Sequence, residues 1–88
     1  MTGVQLDAPY PNPARAETRL SFSLTRPSAV RLAVYDLQGR RVREVLNGSL
    51  DAGEHAADFD ARGLASGVYL ARLETETGTS TRRLTVLR

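Results

Sequence analysis

The sequence predicts an all-β protein, an antiparallel β-sandwich of six to seven strands. Short segments that alternate apolar and polar residues recur at intervals of about ten residues, a spacing typical of β-sandwiches. Turns that contain glycine or proline separate these segments, and no stretch sustains the apolar period of a helix. Strands with one apolar face each are expected to bury those faces between two sheets.

The composition fits one small domain and argues against several classes of function. The chain has 88 residues, 41% of them hydrophobic, and no cysteine, so neither a disulfide nor a thiolate metal site supports its core. The net charge is only +2 and both signs are interspersed, which argues against a nucleic-acid-binding surface. All 12 basic residues are arginine, which we attribute to coding bias; the alternative is a functional arginine surface. No segment has the length of a transmembrane helix, and no signal-peptide pattern follows Met1.

Residues 1–8 are interpreted as an added start, Met1-Thr2-Gly3, followed by a linker or a short lead-in strand at residues 4–6. The chain is therefore predicted to be a domain, residues 9–88, cut from a longer protein. The domain opens with Tyr10-Pro11-Asn12-Pro13, where two prolines favour an extended, polyproline-like path and Asn12 is expected to bond its own local backbone. This segment is either a plain linker or an ordered entry in which Tyr10 packs on the domain.

Six further strands are predicted from the alternation. They span residues 18–24, 29–35, 40–46, 54–59, 67–75 and 80–87. The core-facing residues of the first two are Leu20, Phe22, Leu24, Val30, Leu32 and Val34. Val42 and Val45 have opposite parity, which predicts a β-bulge or an early end of pairing there. The strand that begins at Gly67 is expected to lie at the centre of a sheet.

The connections between these strands are predicted from their turn residues. They are a tight turn at Asp36-Leu37-Gln38-Gly39, a loop at 47–53, a connection at 60–65 and a hairpin turn at 76–79. Leu64, within the connection at 60–65, is expected to pack into the core.

No constellation of catalytic side chains stands out. His55 is the only imidazole, and its place in an alternating strand predicts a partly buried structural histidine. Four nearby acids lack the compact spacing of a calcium loop, so turn chemistry is the favoured interpretation and calcium binding the alternative. Those acids are Asp51, Glu54, Asp58 and Asp60. No catalytic, metal-binding or cofactor-binding residue is therefore predicted.

Two tyrosines and an arginine pair have alternative interpretations. Tyr35 and Tyr69 are predicted to pack in strands with their hydroxyls reaching backbone at a corner, rather than to form a sugar-binding platform. Arg82-Arg83 is interpreted as a guard against edge-to-edge pairing, or as a contact for a phosphate or a partner.

Five stretches, taken in order, resemble one known family. They are Tyr10-Pro11-Asn12-Pro13, residues 30–40 (VRLAVYDLQGR), residues 50–55 (LDAGEH), residues 64–69 (LASGVY) and residues 82–87 (RRLTVL). In order and spacing they resemble the type A C-terminal sorting domain of proteins exported by the type IX (Por) secretion system of Bacteroidetes-type bacteria. The chain is also similar to the Ig-like domain of the flagellar hook-capping protein, which shares the Gly-Val-Tyr strand and the Asp-Leu-x-Gly-Arg hairpin.

The resemblance implies an Ig-like β-sandwich at the C-terminus of a large secreted enzyme or adhesin, with no catalytic role and no cofactor. Its implied partners are an N-terminal cargo domain, the outer-membrane secretion machinery and a sortase-like protease; no nucleic acid is expected. The cargo would pass through the periplasm and be secreted or held at the cell surface. The recognition residues implied are Arg82, Arg83, Leu84, Val86, Leu87 and Arg88. The structural motif residues implied are Tyr10, Pro11, Asn12, Pro13, Asp36, Gly39, Gly67, Val68 and Tyr69.

A physical hypothesis describes how a receptor would recognise the terminal strand, and functions other than sorting are kept as alternatives. A terminal strand at a sheet edge offers unpaired backbone groups to which a receptor could add a strand. Arg82, Arg83 and Arg88 would then orient it on an acidic surface. The alternative functions are a structural Ig-like spacer or hook-cap-like assembly module and a carbohydrate-binding module.

Overall fold

The structure, a computed structural model, describes residues 4–87; the interpreted start at residues 1–3 and the implied recognition residue Arg88 lie outside the described residues. Every helix or strand element within this range is a strand. The strands are β1 Val4–Leu6, β2 Glu17–Leu24, β3 Ser28–Tyr35, β4 Arg41–Leu50, β5 Gly53–Asp60, β6 Gly67–Thr75 and β7 Gly78–Val86. The short lead-in strand at residues 4–6 is confirmed.

The seven strands form two antiparallel sheets that face each other. One sheet has the order β1-β2-β5 and the other has the order β4-β3-β6-β7. All five strand pairs within these sheets are antiparallel. The predicted all-β sandwich of six to seven strands is thus confirmed, and β6 lies inside its sheet, as expected for the strand that begins at Gly67.

The core lies between the facing sides of the sheets. The six core-facing residues predicted on β2 and β3 are all buried, because alternate side chains of a strand point to the same face. The middle strand β6 adds Tyr69, Ala71 and Leu73 to this core, and β7 adds Leu84 and Val86. Removing these apolar side chains from water is the main driving force that holds the two sheets together.

β4 is longer than its sequence predicts, and the predicted loop at residues 47–53 is wrong. Residues 47–50 continue the strand and pair with residues 28–31 of β3, so that only Asp51 and Ala52 separate β4 from β5. Asparagine and glycine are poor strand formers on their own. Their pairing with a buried neighbour strand holds them in the sheet.

The predicted β-bulge in β4 is confirmed. The register between β3 and β4 shifts between Leu32 and Ala33 and again between Val34 and Tyr35. Each shift inserts an extra residue in β4, which reconciles the opposite parities of Val42 and Val45 with one continuous strand.

The last two connections follow their predictions more closely than the loop at residues 47–53. Thr75 pairs with Gly78, so the β6–β7 hairpin turns at residues 76–77, within the predicted turn. Leu64 packs against the core from the β5–β6 connection, as expected, but it stays half-buried, and Ala61 is the residue of this connection that is fully buried.

Candidate interaction site at the terminal strand

The terminal strand β7 forms one edge of the four-stranded sheet. It pairs with β6 over nine residues, from Gly67 opposite Val86 to Thr75 opposite Gly78. The Gly-Val-Tyr motif opens β6, and Gly67 has a φ of +158°, close to extended backbone. The terminal strand therefore runs directly beside the strand that carries the motif.

The implied recognition residues of β7 divide between its two faces. Leu84 and Val86 are buried in the core, so a partner of the folded domain cannot touch them. Arg83 lies opposite Leu70 on the outer face of the sheet, and Leu87, just beyond β7, is 37% exposed. Among the described residues, Arg83 and Leu87 are thus the members of this set that a partner can reach without competing for existing bonds.

Arg82 joins the terminal strand to β1. Its Nε donates a hydrogen bond to the Leu6 carbonyl at 2.8 Å, and the Leu6 N–H donates to Ser80 Oγ at 3.1 Å. Leu6 itself is fully buried. These bonds place β1 beside the first half of β7 and give Arg82 a structural contact.

The Tyr-Pro-Asn-Pro segment and Ala14, which we call the strap (residues 10–14), lie along the second half of β7. Asn12 Nδ2 donates to the Arg83 carbonyl at 3.3 Å, and Asn12 Oδ1 accepts from the Thr85 N–H at 3.0 Å. Ala14 donates its N–H to the Thr85 carbonyl at 2.8 Å and accepts from the Leu87 N–H at 2.9 Å. The strap thus occupies main-chain groups that point away from β6.

The other end of the strap is fixed to β2. The main chains of Tyr10 and Arg19 exchange two hydrogen bonds of 3.2 and 2.8 Å, and Thr18 Oγ1 donates to the Pro11 carbonyl at 2.8 Å. Thr18 is buried, so this bond is largely protected from water. The strap therefore crosses from one sheet to the other and closes this side of the sandwich.

The structure changes three expectations about the strap. The polyproline-like path is wrong, since residues 11–13 bend. Asn12 bonds the distant strand β7 instead of its local backbone. The segment is ordered by main-chain bonds, whereas the Tyr10 ring does not pack on the domain and is 80% exposed.

The free edge expected at the terminal strand is wrong for residues 83–87. The strap covers those residues, and β1 lies beside Ser80 and Arg82. In the described part of the chain, the strands with an unpaired side in their sheets, other than β1 and β7, are β4 and β5 on the opposite side of the sandwich. Sequence reasoning missed this arrangement, because an asparagine between two prolines carries no signal for a distant partner.

The tight turn at Asp36–Gly39 is confirmed. Asp36 Oδ1 accepts the N–H groups of Gln38 and Arg40, each at 2.9 Å, and Gly39 has a φ of +86°, which other residues rarely adopt. The main-chain N–H of Arg40, aided by its guanidinium, holds the pKa of Asp36 below its ordinary value. This chemistry gives Asp36 and Gly39 a structural role in the β3–β4 hairpin.

The two strand tyrosines differ in their contacts. The Tyr69 hydroxyl donates to the Ala65 carbonyl at 2.7 Å and fixes the corner before β6, as predicted. The Arg72 guanidinium lies 5.1 Å from the centre of the Tyr35 ring, and the structure describes no hydrogen bond for the Tyr35 hydroxyl. The predicted corner bond is therefore confirmed for Tyr69, whereas Tyr35 does not form one with any of residues 4–87.

Two of the four acids considered for calcium, Asp58 and Asp60, are engaged by arginines. The Arg62 guanidinium, whose Nη2 lies 2.9 Å from Asp60 Oδ2, lowers the pKa of Asp60 from 3.8 to about 2. Asp58 accepts from Arg19 Nε at 3.1 Å. Within residues 4–87 no group of three or more potential metal ligands converges. These contacts account for the two acids as turn and surface chemistry.

His55 packs as a structural residue. Its Nε2 lies 2.7 Å from the Asp51 carbonyl, and its ring lies 5.5 Å from that of buried Phe22. The predicted partial burial of His55 is confirmed. A surface cavity of about 350 Å³ adjoins it, lined in part by Ser21, Ser23 and Glu54. Because the Asp51 carbonyl occupies Nε2, that nitrogen is not available to a serine as a general base.

A comparison with known protein families finds a match. A family model described as the secretion system C-terminal sorting domain, a type IX secretion tail, matches residues 8–87. The match covers β2 to β7 and the strap. No curated protein matches the chain. None of the described residues form a helix with the length and apolar character that a membrane crossing requires.

Proposed function

Because the chain belongs to the family of secretion system C-terminal sorting domains, we propose that it is a non-catalytic module that directs a cargo protein across the outer membrane. Proteins with this tail are secreted or attached to the cell surface. The observation that carries the proposal is the family match over residues 8–87, which includes nearly all of the described sandwich.

The proposal assigns a role to each part of the chain. Residues 9–88 are the sorting domain, and residues 1–8 connect it to an N-terminal cargo domain, with β1 packed on the same core. The partners are the outer-membrane secretion machinery and a sortase-like protease that removes the domain. The contacts of the strap, Asp36 and Tyr69 support a structural role for the motif residues. No cofactor takes part.

The test is export of a fluorescent protein that carries a signal peptide and residues 1–88 at its C-terminus, in a host with a type IX system. The matched control has the same domain at the N-terminal side of the fluorescent protein, which leaves its fold and composition unchanged. We expect fluorescence in the medium or on the cell surface for the C-terminal fusion alone. Retention of a folded C-terminal fusion in the periplasm would contradict the proposal and favour a structural spacer.

A truncation of residues 82–88 is a poor test of the same proposal. It removes Leu84 and Val86 from the core and deprives the strap of its partners at Thr85 and Leu87. Loss of export would then follow from misfolding alone. Substitution of outward-facing residues separates the two causes.

A further inference from the structure

The outer face of the four-stranded sheet presents an apolar strip next to the terminal strand. Opposed residues place Tyr35 beside Leu70, Leu70 beside Arg83, and Val68 beside Thr85. Directly opposed side chains of neighbouring strands share a face of the sheet. Val68 is 37% exposed and Leu70 and Tyr35 are half-buried, so an apolar surface of three side chains reaches solvent here. We call Tyr35, Leu70 and Val68 the outer strip.

Two arginines border the outer strip without an ion pair. Arg83 is exposed beside Leu70, and Arg72 is exposed with its guanidinium over the Tyr35 ring. Two acids share this face: Glu44 contacts Arg41 at 3.3 Å and Arg31 at 3.8 Å, and Glu74 lies two residues beyond Arg72 on β6, opposite Arg31. No carboxylate among residues 4–87 forms a salt bridge with Arg72 or Arg83. This part of the face is therefore apolar at its centre and positive at its margin.

The edge of the terminal strand β7 offers a partner few free groups. The strap takes the outward main-chain groups of residues 83–87, and β1 is bonded to the side chains of Ser80 and Arg82. A receptor strand added along β7 would first have to displace these elements. The outer strip and its arginines need no such opening, since they are exposed in the folded domain.

We propose that the outer strip, with Arg72 and Arg83, is the surface through which a protein of the secretion machinery reads the folded domain. The inference rests on the proposed function and names the class of partner that this surface contacts. The partner's surface carries carboxylates around an apolar patch, complementary in charge to the two arginines. An apolar centre that includes a tyrosine, with arginines at its border, is the anatomy of a specific protein–protein contact.

The first test changes the strip while the fold is preserved. Arg83→Glu reverses the marginal charge, and Leu70→Thr keeps a residue suited to a strand while it removes apolar surface. The matched control is Arg26→Glu, which makes the same charge change at an exposed turn far from the strip. In the fluorescent-fusion assay we expect export to fall about tenfold or more for both strip variants and to stay unchanged for the control. Unchanged thermal unfolding of the purified variants assigns any loss to recognition.

The second test locks the strap. Ala14 and Val86 are buried bridge partners, and adjacent strands about 4.8 Å apart lie within the reach of a disulfide. The double variant Ala14→Cys/Val86→Cys introduces the only two cysteines of this domain. We expect the oxidised, locked domain to be exported like the unmodified one. Loss of export in the locked form, with normal export of both single variants, Ala14→Cys and Val86→Cys, would show that β7 must open and would overturn the inference.

The outcomes separate the inference from the function on which it rests. If the unmodified fusion is not exported, the proposed function fails. If it is exported, and Arg83→Glu and Leu70→Thr are exported equally well, the outer strip is excluded as the recognition surface and the proposed function stands. A membrane partner is tested with vesicles of equal parts phosphatidylcholine and phosphatidylglycerol at physiological ionic strength. If the domain cosediments with these vesicles and Arg83→Glu abolishes the cosedimentation, the partner is an anionic lipid surface and not an acidic protein. If the domain does not cosediment, a protein partner is supported.

Discussion

Asn12 is predicted to hold the strap against the terminal strand, and its replacement tests the closed edge directly. Asn12→Ala removes both side-chain hydrogen bonds, the one from Nδ2 to the Arg83 carbonyl and the one from the Thr85 N–H to Oδ1. The main-chain bonds of Ala14 to Thr85 and Leu87 remain. The variant should therefore loosen the strap without removing it.

The size of the effect follows from the geometry of the two bonds. The Thr85 bond, at 3.0 Å, is of ordinary length, whereas the Arg83 bond, at 3.3 Å, is long and correspondingly weak. Both lie at the surface, where water competes for their groups. With a net contribution of roughly 0.5–1.5 kcal/mol for a typical bond, we expect the free energy of unfolding to fall by about 1–2 kcal/mol. For a domain of this size, that loss corresponds to a decrease of roughly 4–16 °C in the melting temperature.

Amide hydrogen exchange locates the change within the domain. The Thr85 N–H loses its acceptor, and the Leu87 N–H depends on the same strap through Ala14. An opening free energy lower by about 1–2 kcal/mol raises their exchange rates roughly 5- to 30-fold. The exchange rate of the Leu73 amide, inside β6, should change only as far as global stability changes.

The matched variant Asn12→Asp keeps an oxygen for the Thr85 N–H and loses the donor to Arg83. It should accelerate exchange at Thr85 less than Asn12→Ala does. The reasoning is refuted if Asn12→Ala leaves exchange at Thr85 and Leu87 unchanged. Equal opening free energies for the Leu73 and Thr85 amides in the unmodified domain would also refute it, because the strap would then not open as a separate unit.

Two further predictions concern the corner tyrosine and an acid with a shifted pKa. Tyr69→Phe should lower the free energy of unfolding by about 1 kcal/mol through loss of the bond to Ala65, whereas Tyr35→Phe, the same chemical change, should be nearly neutral in urea unfolding. Arg62 depresses the pKa of Asp60 from 3.8, the unfolded value, to about 2 in the folded domain. The contact between Asp60 and Arg62 therefore stabilises the fold above the unfolded pKa, and this stabilisation is lost as the pH falls from 3.8 to about 2. Asp60→Asn should therefore flatten the fall in melting temperature between these two pKa values, by an amount limited by solvent screening; an unchanged slope would contradict this.

The elements that depend on local pattern could be predicted from the sequence. The alternation of apolar residues in β2 and β3 identified six core residues, because the side-chain period of a strand reports directly which face is buried. The turn at Asp36–Gly39 followed from local chemistry, since the acid bonds main-chain groups only two and four residues ahead. The bulge in β4 was also predicted, from the opposite parity of Val42 and Val45.

The features that join distant parts of the chain could be found only in the folded structure. Asn12 bonds groups 71 and 73 residues away, and a local pattern specifies a period or a turn but not which strand lies across the sandwich. For the same reason Arg82 and Arg83, adjacent in sequence, have separate roles, one bonded to Leu6 and one exposed beside Leu70. The family motifs identified the terminal strand from sequence. Which of its groups a partner can reach was settled by the packing of the strap and β1 against it.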